Sequence, residues 1–365
     1  MSAPAPGIRT ILIAAGGTGG HVYPALEVAR RLRTRGVNVE WLGTSRGLES
    51  RVVPAQGIPL HVLSISGLRG KALLRWLVAP AVLLVALGRS ISIIRAVRAR
   101  LVLGMGGYAA GPGGVAARLL RVPLVIHEQN AAPGLTNKVL ARIADRVLEA
   151  FPGTFPAAVG AVHVGNPVRE EVCGLSPPEV RMAEARGPLR LLVLGGSQGA
   201  GALNRILPAV LAMLPDETRV EVRHQTGPAH LASTRKAYEA AGLGIQPEAF
   251  IEDMAEAYAW ADLVICRAGA MTVSELAAAG LASILVPFPF AVDDHQSLNA
   301  KYLSEAGAAV LLNESDLNPA LLRDLIVDFG GARTRLLEMA RLARALAMPD
   351  AADRVAGLCL EAAHA

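Results

Sequence analysis

The chain has 365 residues, a formal net charge of +5, 52% hydrophobic residues and only 4% aromatic residues. This length exceeds what one hydrophobic core usually organises and suits two domains. The abundance of Ala, Leu, Val and Gly favours parallel strands covered by Ala-rich helices, and it excludes a disulfide-rich scaffold or a disordered chain.

The first half alternates predicted strands and helices. An apolar strand at 11–15 runs into Gly16-Gly17-Thr18-Gly19-Gly20-His21, and Pro24–Arg35 is predicted as the helix that follows. Further strands are predicted at 37–42, 101–103, 123–126 and near 162–164, with a helix at about 113–120. This alternation is typical of a parallel sheet with helices on its faces.

An uncharged run from Trp76 to Gly88 interrupts this rhythm. It lies between Arg75 and Arg89 and contains Pro80, and it is too short for the roughly 20 apolar residues of a membrane-spanning helix. Two interpretations remain open. The run is either a helix buried on the sheet, or a surface segment with an apolar face and basic edges that touches a membrane.

The second half repeats the pattern after a linker predicted near 165–170. A strand at 189–194 leads into Gly195-Gly196-Ser197-Gln198-Gly199-Ala200 and a helix at 202–214. Later strands are predicted at 219–224, 247–251, 262–266, 283–287 and 308–312. A last helix at 351–363 is long enough to pack back on the first half.

Both glycine loops join a buried strand to a helix N-terminus, where free backbone N–H groups and the helix dipole favour an anion. Ligands of open α/β sheets bind at this end of the strands. The dinucleotide fingerprint fails, because Val22 stands at its third glycine position and the second strand ends in Leu42-Gly43-Thr44 without a carboxylate. Gly104-x-Gly106-x-x-Ala109 fits only its looser form, so nicotinamide chemistry is disfavoured.

Three side chains near strand ends each allow two interpretations. His21 either caps a helix start or acts as a general base. Glu275, in the helix after Cys266-Arg267-Ala268-Gly269, either favours the helix dipole or accepts hydrogen bonds from a ribose diol. Arg169 either forms a surface ion pair or pairs with a phosphate.

Cysteines and charge limit the setting. Cys173, Cys266 and Cys359 lie far apart without metal-ligand spacing, which predicts buried thiols in a reducing compartment. The N-terminus lacks an ordinary signal-peptide pattern, so we expect a cytosolic protein. The positive charge fits an anionic lipid or a phosphorylated substrate, and no motif supports nucleic-acid binding.

Taken in order, six motifs resemble one family, the UDP-N-acetylglucosamine:lipid I N-acetylglucosaminyltransferases of peptidoglycan synthesis. The motifs are Gly16–His21, Gly104–Tyr108 with Gly111–Gly114, His127-Glu128-Gln129-Asn130, Gly165–Arg169, Gly195–Gly199 and Arg267–Glu275. The resemblance implies an α/β fold of the GT-B type, with two Rossmann-like domains facing across a cleft and the C-terminal helix packed on the N-terminal domain. It implies an acceptor- and membrane-binding domain of residues 1–167 with 347–365, and a donor-binding domain of residues 168–346.

The resemblance also implies roles for individual residues. His21 is the candidate base, Ile251 would meet the uracil through its backbone, and Glu275 would hold the ribose. The diphosphate would contact Ser197, Arg169 and the helix start at Ala270, Met271, Thr272, Val273 and Ser274. Asn130 and Gln296 would recognise the sugar hydroxyls, although Pro289–Asp294 departs from the family pattern and leaves the register of Gln296 open. The resemblance places Thr18, Gly19 and Gly20 among the donor-binding residues, in the cleft that also receives the family's acceptor diphosphate. The acceptor-side loops would be formed by Gly16, Gly17, Gly104, Gly106, Gly107 and Tyr108.

The implied reaction is an inverting transfer of N-acetylglucosamine from UDP-N-acetylglucosamine to the 4-hydroxyl of the MurNAc unit of undecaprenyl-linked lipid I, giving lipid II and UDP. No cofactor or metal is expected. The expected location is the cytoplasmic face of the cell membrane, on its anionic surface, with cell-wall and division proteins as further partners. The alternatives are a UDP-N-acetylglucosamine epimerase, a transferase acting on diacylglycerol, and a non-catalytic membrane-docked protein that binds UDP-sugar.

Overall fold

The computed structural model describes residues 10–64, 73–183, 187–196, 199–291 and 294–364, with the backbone alone for 73–79. The chain divides into two compact units: Met1–Val168 with Met348–Ala365, and Arg169–Ala347. Ser197 and Asp293 lie outside the described residues.

Each unit is built on one sheet. The strands are β1 Thr10–Ala14, β2 Asn38–Thr44, β3 Leu60–Leu63, β4 Leu101–Gly104, β5 Leu124–Glu128, β6 Arg146–Glu149, β7 Val162–His163, β8 Leu189–Leu194, β9 Val220–Gln225, β10 Leu263–Cys266, β11 Ala282–Leu285 and β12 Ala309–Leu311. The first sheet has the order β3-β2-β1-β4-β5-β6-β7 and the second β12-β11-β10-β8-β9, with parallel pairing. Sequence order therefore reverses between β1 and β4, and again between β8 and β10.

Helices connect the strands. They are α1 Gly19–Thr34, α2 Glu49–Ala55, α3 Leu73–Ala96, α4 Ala110–Leu119, α5 Leu135–Leu140, α6 Glu170–Cys173, α7 Pro178–Met182, α8 Gly201–Ala212, α9 Leu231–Ala240, α10 Met254–Trp260, α11 Ala270–Ala279, α12 His295–Ser304, α13 Pro319–Gly331, α14 Arg333–Ala345 and α15 Ala351–His364. A 3₁₀ turn spans Ala157–Val159.

Strand β1 is buried on both faces, which explains its unbroken apolar sequence. Ile11 and Ile13 point into one core with α1 and α15, and Leu12 and Ala14 point into another with α3 and α4. The last helix, α15, contributes the fully buried Val355 and Cys359 to the first of these cores. The C-terminal segment thus completes the hydrophobic layer of the first unit, at about 1.5–3 kcal/mol for each large apolar side chain removed from water.

Helix α3 contains the described part of the apolar run and continues beyond it. Within the run, Val82, Leu83, Leu84 and Val85 are exposed, with Val85 at 72%, so the interpretation as a helix buried on the sheet is wrong for these residues. Ile93 and Ile94, which are buried in the core, lie after the run has ended. None of the helices in the described parts of the chain is long and apolar enough to cross a membrane.

The second unit is held by a buried ion-pair network and by a helix cap. Asp262, before β10, receives Arg190 and Arg333 at 2.7 and 2.6 Å. Burial opposes the charge of Asp262, but these arginine hydrogen bonds outweigh it and lower the pKa of the carboxyl. Arg181 donates to the carbonyls of Ala279 and Gly280 at the C-terminus of α11, which lack intrahelical partners.

Several predicted boundaries are wrong. Helix α1 begins at Gly19 rather than Pro24, because the Thr18 carbonyl already accepts from the N–H groups of His21 and Val22. The strand predicted at 247–251 is reduced to a single bridge between Gln225 and Glu248, and Pro247 has no N–H to extend it. Strands β3 and β6 were not predicted.

Candidate active site

The first glycine loop, Gly16–His21, is hydrogen-bonded to the carboxylate of Glu49, which the sequence analysis did not predict as part of the site. Glu49 is fully buried. It accepts hydrogen bonds from the backbone N–H of Gly17 at 2.9 Å and from the N–H and hydroxyl of Thr44 at 2.9 and 2.7 Å. A Cβ at Gly16 would lie 2.5 Å from this carboxylate, so a side chain there would displace it. Glu49 therefore fixes the loop that opens onto the N-terminus of α1.

Glu49 stands near the end of β2, where a dinucleotide site would need a ribose-binding acid. Its oxygens are used inside the protein, which agrees with the failed fingerprint. Only the spacing of Glu49 after Gly43-Thr44 could have signalled its role. Trp41 is a second residue that holds this loop and was not predicted from the sequence. Its buried indole N–H donates to the Ala15 carbonyl, just before the loop, at 2.8 Å.

A second glycine loop, Gly104–Tyr108, meets the first at the strand-order reversal between β1 and β4. Gly106 and Gly107 have φ angles of 89° and 79°. A Cβ at Gly107 would overlap the Gly16 carbonyl, and one at Gly106 would lie 2.7 Å from His21 Nδ1. Glycine is required at both positions because the two loops touch. The structure thus brings together Gly16, Gly17, Thr18, Gly19, Gly20, His21, Gly104, Gly106, Gly107 and Tyr108, with Tyr108 52% exposed.

A hydrogen-bond chain runs from His21 into the interior of the first unit. His21 Nδ1 lies 2.9 Å from Gln129 Oε1, Gln129 Nε2 lies 3.0 Å from His127 Nδ1, and His127 Nε2 lies 2.9 Å from the Gly165 carbonyl. His127 is fully buried, and this burial lowers its pKa to about 4. It is therefore neutral at physiological pH.

Asn130 follows β5 and is oriented by its neighbour. Glu128 Oε1 accepts from the backbone N–H and the side-chain amide of Asn130 at 3.0 and 3.2 Å. Its other oxygen accepts from the Gly134 N–H and the Asn137 amide. The buried Glu128 thus shapes the loop at the carboxyl end of β5, adjacent to β4 in the sheet.

In the second unit, the loop after β8 has the same construction. Gly195 donates its N–H to the Gln225 carbonyl at 2.8 Å. Gly196 and Gly199 have φ angles of 71° and 74°, and a Cβ at Gly199 would lie 2.7 Å from the Thr226 carbonyl. Helix α8 then begins at Gly201. Ser197, the residue of this loop that is predicted to contact the diphosphate, lies outside the described residues.

The start of α11 lies after β10, next to β8 at the second strand-order reversal. Gly269 precedes the first turn at Ala270, Met271 and Thr272, while Val273 is buried and the Ser274 hydroxyl donates back to the Ala270 carbonyl at 2.9 Å. Arg267, in the loop before the helix, is engaged by the Val286 and Pro287 carbonyls and by Glu314.

Arg169 and Glu275 are in direct contact, which the sequence did not predict. Arg169 donates to Glu275 Oε1 at 3.0 Å, and the Tyr258 hydroxyl donates to Oε2 at 3.0 Å. Burial works against the Arg169 charge, but Glu275 outweighs it and raises the pKa of the guanidinium. Burial, and then the charge of Glu275, raise the pKa of Tyr258 well above its ordinary value. Tyr258 is thus a permanent donor to Glu275.

The remaining predicted donor-site residues of the second unit are Ile251 and Gln296. Ile251 is buried just before α10. The residues that follow it, including Glu252 and Met254, line a cavity of about 480 Å³ together with Arg169. Gln296, in α12, accepts from the Phe288 N–H at 2.9 Å through Oε1.

The chain is similar to known proteins in sequence and in structure. The glycosyltransferase family 28 N-terminal domain matches residues 11–149, and the family 28 C-terminal domain matches residues 190–355. A UDP-N-acetylglucosamine–N-acetylmuramyl-(pentapeptide) pyrophosphoryl-undecaprenol N-acetylglucosamine transferase of Alkalilimnicola ehrlichii is 56% identical over 97% of this chain and 99% of its own. The transferase of that name from Marinobacter nauticus is 53% identical, covering 98% of each chain.

A solved structure is similar as well. The crystal structure of Acinetobacter baumannii MurG superposes with a TM-score of 0.84 at 42% identity, covering 97% of this chain and 99% of that one. Together with the two parallel sheets, these matches confirm the predicted two-domain glycosyltransferase fold class.

Proposed function

The chain belongs to glycosyltransferase family 28, and from this premise we propose that it transfers N-acetylglucosamine from UDP-N-acetylglucosamine to undecaprenyl-linked lipid I, giving lipid II and UDP. The observation that carries the proposal is the pair of glycine loops followed by helix N-termini, each at the strand-order reversal of its sheet. The names of relatives more than 50% identical over nearly the whole chain support this choice over an epimerase or a diacylglycerol transferase.

The second unit binds the donor. The N–H groups at the start of α11 and the Arg169 guanidinium offer positive charge for a diphosphate. Glu275 offers a carboxylate for ribose hydroxyls, and the cavity beside Arg169 provides room near Ile251 for the uracil ring. Because Arg169 and Glu275 already hold each other, donor binding exchanges part of their contact for contacts with phosphate and ribose. Ser197, Asn130 and Gln296 complete the donor contacts in this proposal.

The first unit supplies the general base, His21. The acceptor hydroxyl oxygen forms a bond to the anomeric carbon while the bond from that carbon to the diphosphate breaks, which inverts the configuration. The hydroxyl proton goes to His21, and the electron pair of the broken bond leaves with UDP. Helix α11 and Arg169 stabilise the charge that develops on the leaving diphosphate. The glycine loops around His21 leave backbone N–H groups for the acceptor's own diphosphate.

The lipid acceptor requires that the enzyme reach a membrane surface. The exposed residues Val82, Leu83, Leu84 and Val85 of α3 form an apolar strip, and Arg89 and Arg95 lie exposed later on the same helix. Such a surface suits peripheral docking on anionic lipid at the cytoplasmic face of the membrane.

The direct test measures UDP release with and without a lipid-linked muramyl-pentapeptide acceptor. We expect turnover only with the acceptor, and product analysis should give one new glycosidic bond per UDP. Conversion of UDP-N-acetylglucosamine without acceptor would instead indicate an epimerase. Donor binding with no turnover under either condition would indicate a non-catalytic protein.

A further inference from the structure

The chain behind His21 contains three hydrogen bonds, two between side chains and one to a backbone carbonyl, and each bond fixes the direction of the next. It begins at the Gly165 carbonyl, which can only accept a hydrogen bond. His127 Nε2, 2.9 Å away, must therefore carry a proton. His127 is neutral because its burial lowers its pKa to about 4, so its Nδ1 has a lone pair and accepts.

The acceptor at His127 Nδ1 sets the orientation of the Gln129 amide. Only the NH₂ end of the amide can donate to that nitrogen, at 3.0 Å. The same NH₂ group lies 3.3 Å from the His127 carbonyl, where an amide oxygen would be repelled. Gln129 Oε1 consequently faces His21 Nδ1 at 2.9 Å and can only accept. His21 must then carry its proton on Nδ1.

We infer that Gln129 and His127 are positioning residues that hold His21 as the Nδ1-protonated tautomer, with the lone pair on Nε2 directed away from the chain of hydrogen bonds. This inference rests on the proposed role of His21 as the base. Among the described residues, none hydrogen-bonds to His21 Nε2. The nitrogen that receives the acceptor proton is thus selected by groups that never touch the substrate.

The surroundings keep the chain in place. The Asn137 amide donates to the His127 carbonyl at 3.1 Å, and the Asn166 amide donates to the Gln129 carbonyl at 3.0 Å. Gly106 lies against the His21 ring, and no larger residue would fit there. His127 and Gln129 are 0% and 1% exposed, so water does not compete for their hydrogen bonds.

The neutral amide has a chemical consequence. A carboxylate at this position would add a negative charge beside the imidazolium, whereas the neutral amide fixes the tautomer through its hydrogen bond alone. After proton transfer, His21 holds one proton on each nitrogen and its Nδ1–H remains bonded to Gln129. The proton does not travel along the chain, because the amide has no site to pass it on.

The first experiment detects the tautomer without reference to activity. Long-range ¹H–¹⁵N NMR of histidine-labelled protein, with the His21 signals assigned through a His21→Gln variant, should show a proton on Nδ1 and none on Nε2. In Gln129→Met the preference should be lost, and the Nε2-protonated form should gain population. A predominantly Nε2-protonated His21 in the unaltered protein would overturn the inference, while the transfer reaction could still stand.

The second experiment uses the pH profile. Among the described residues, the charged or titratable groups on the elements that contact the His21 loop are Glu49, Glu128, Tyr23, Tyr108 and neutral His127, and none of them is substituted in these variants. Gln129→Met should lower kcat roughly 10–100-fold with the donor KM within about twofold, since only the tautomer population changes. Gln129→Glu keeps an acceptor for Nδ1–H but adds charge, so the acidic limb of kcat should move to higher pH by about one unit or more.

The controls separate the possible failures. Gln56→Met makes the same replacement at an exposed position and should leave kcat and its pH profile unchanged. Identical pH profiles for Gln129→Glu and Gln129→Met would overturn the positioning role. Near-normal turnover in His21→Ala would remove the proposed base instead, whatever the NMR shows about the tautomer.

Discussion

At the scale of single residues, His21 is the group on which the proposed chemistry depends. It lies in the third position of α1, against Gly106, with one nitrogen held by Gln129. His21→Ala should lower kcat roughly 10²–10⁴-fold at saturating substrates, the usual contribution of a general base. Donor binding measured by calorimetry should remain, because His21 is not among the proposed donor contacts.

His61→Ala provides the matched control for this variant. His61 belongs to the same unit but lies on β3, paired with Glu40 at the surface rather than with the glycine loops. Its turnover should match that of the unaltered enzyme. If His21→Ala also turned over at nearly the normal rate, another group or water would have to take the proton.

Tyr258 is the second residue with a specific expected role. Its buried hydroxyl donates to Glu275 Oε2, and Tyr258→Phe would leave that oxygen without the donor. A lost hydrogen bond of about 1 kcal/mol corresponds to a donor KM raised roughly fivefold, with kcat little changed. Steady-state kinetics with varied UDP-N-acetylglucosamine measures this.

Tyr238→Phe is the control for Tyr258→Phe. Tyr238 is also fully buried in the second unit, but its hydroxyl pairs with His224 at 2.7 Å instead of with Glu275. This variant should lose a comparable amount of folding stability while the donor KM stays the same. Equal KM changes in both variants would mean that Tyr258 acts only through stability.

At the scale of elements, α3 carries the prediction about the membrane. Val85 is 72% exposed and precedes the buried Ile93 and Ile94 of the same helix, so a charge there disturbs little packing. Val85→Glu should reduce binding to vesicles that contain anionic phospholipid several-fold, because it adds a negative charge to an apolar strip. Co-sedimentation with vesicles measures the binding.

The control for α3 is Val180→Glu. Val180 is 65% exposed in α7 of the second unit, so this variant makes the same substitution at another part of the surface. It should leave vesicle binding unchanged, and both variants should keep their donor affinity. If Val85→Glu bound vesicles normally, the apolar strip would not be the docking surface.

At the scale of the whole molecule, each unit contains one deeply buried neutral histidine near its glycine loop. Burial lowers the pKa of His127 and of His224 to about 4. The unfolded chain protonates both near their ordinary value of 6.5, so it binds more protons than the folded chain below that pH. Stability should therefore fall as the pH drops from 7 to 4, by about 2 kcal/mol for each histidine between pH 7 and 5.

Urea unfolding at pH 7 and pH 5 measures this loss. Asp262 does not interfere in this window, because its lowered pKa confines its own contribution to more acidic conditions. His224→Gln removes one titrating group and should show a smaller difference between the two pH values, although it is less stable at pH 7. His364→Gln changes an exposed histidine and should keep the full difference. An unchanged difference in His224→Gln would contradict the assignment.

Much of the fold could be predicted because local patterns coincide with tertiary environments. Strand β1 is buried on both faces, and so is β8 except at Arg190, so both appear in the sequence as largely apolar runs. Boundaries were less secure where backbone hydrogen bonds decide them, as at Pro24 inside α1 and at Pro247 beside the single bridge of Glu248. Short strands such as β3 and β6 escaped prediction because four residues carry little periodic signal.

The alternation of strands and helices, the two glycine loops and the family motifs could be predicted from the sequence, since each depends on residue types at short spacing. How distant residues meet depends on the folded chain. Strand order brings the Gly16 and Gly104 loops together, Glu49 reaches back to Gly17, and Arg169 meets Glu275 across 106 positions of sequence. The tautomer of His21 belongs to this second class, because its hydrogen-bond chain ends at the Gly165 carbonyl and direction is set by partners that no local pattern specifies.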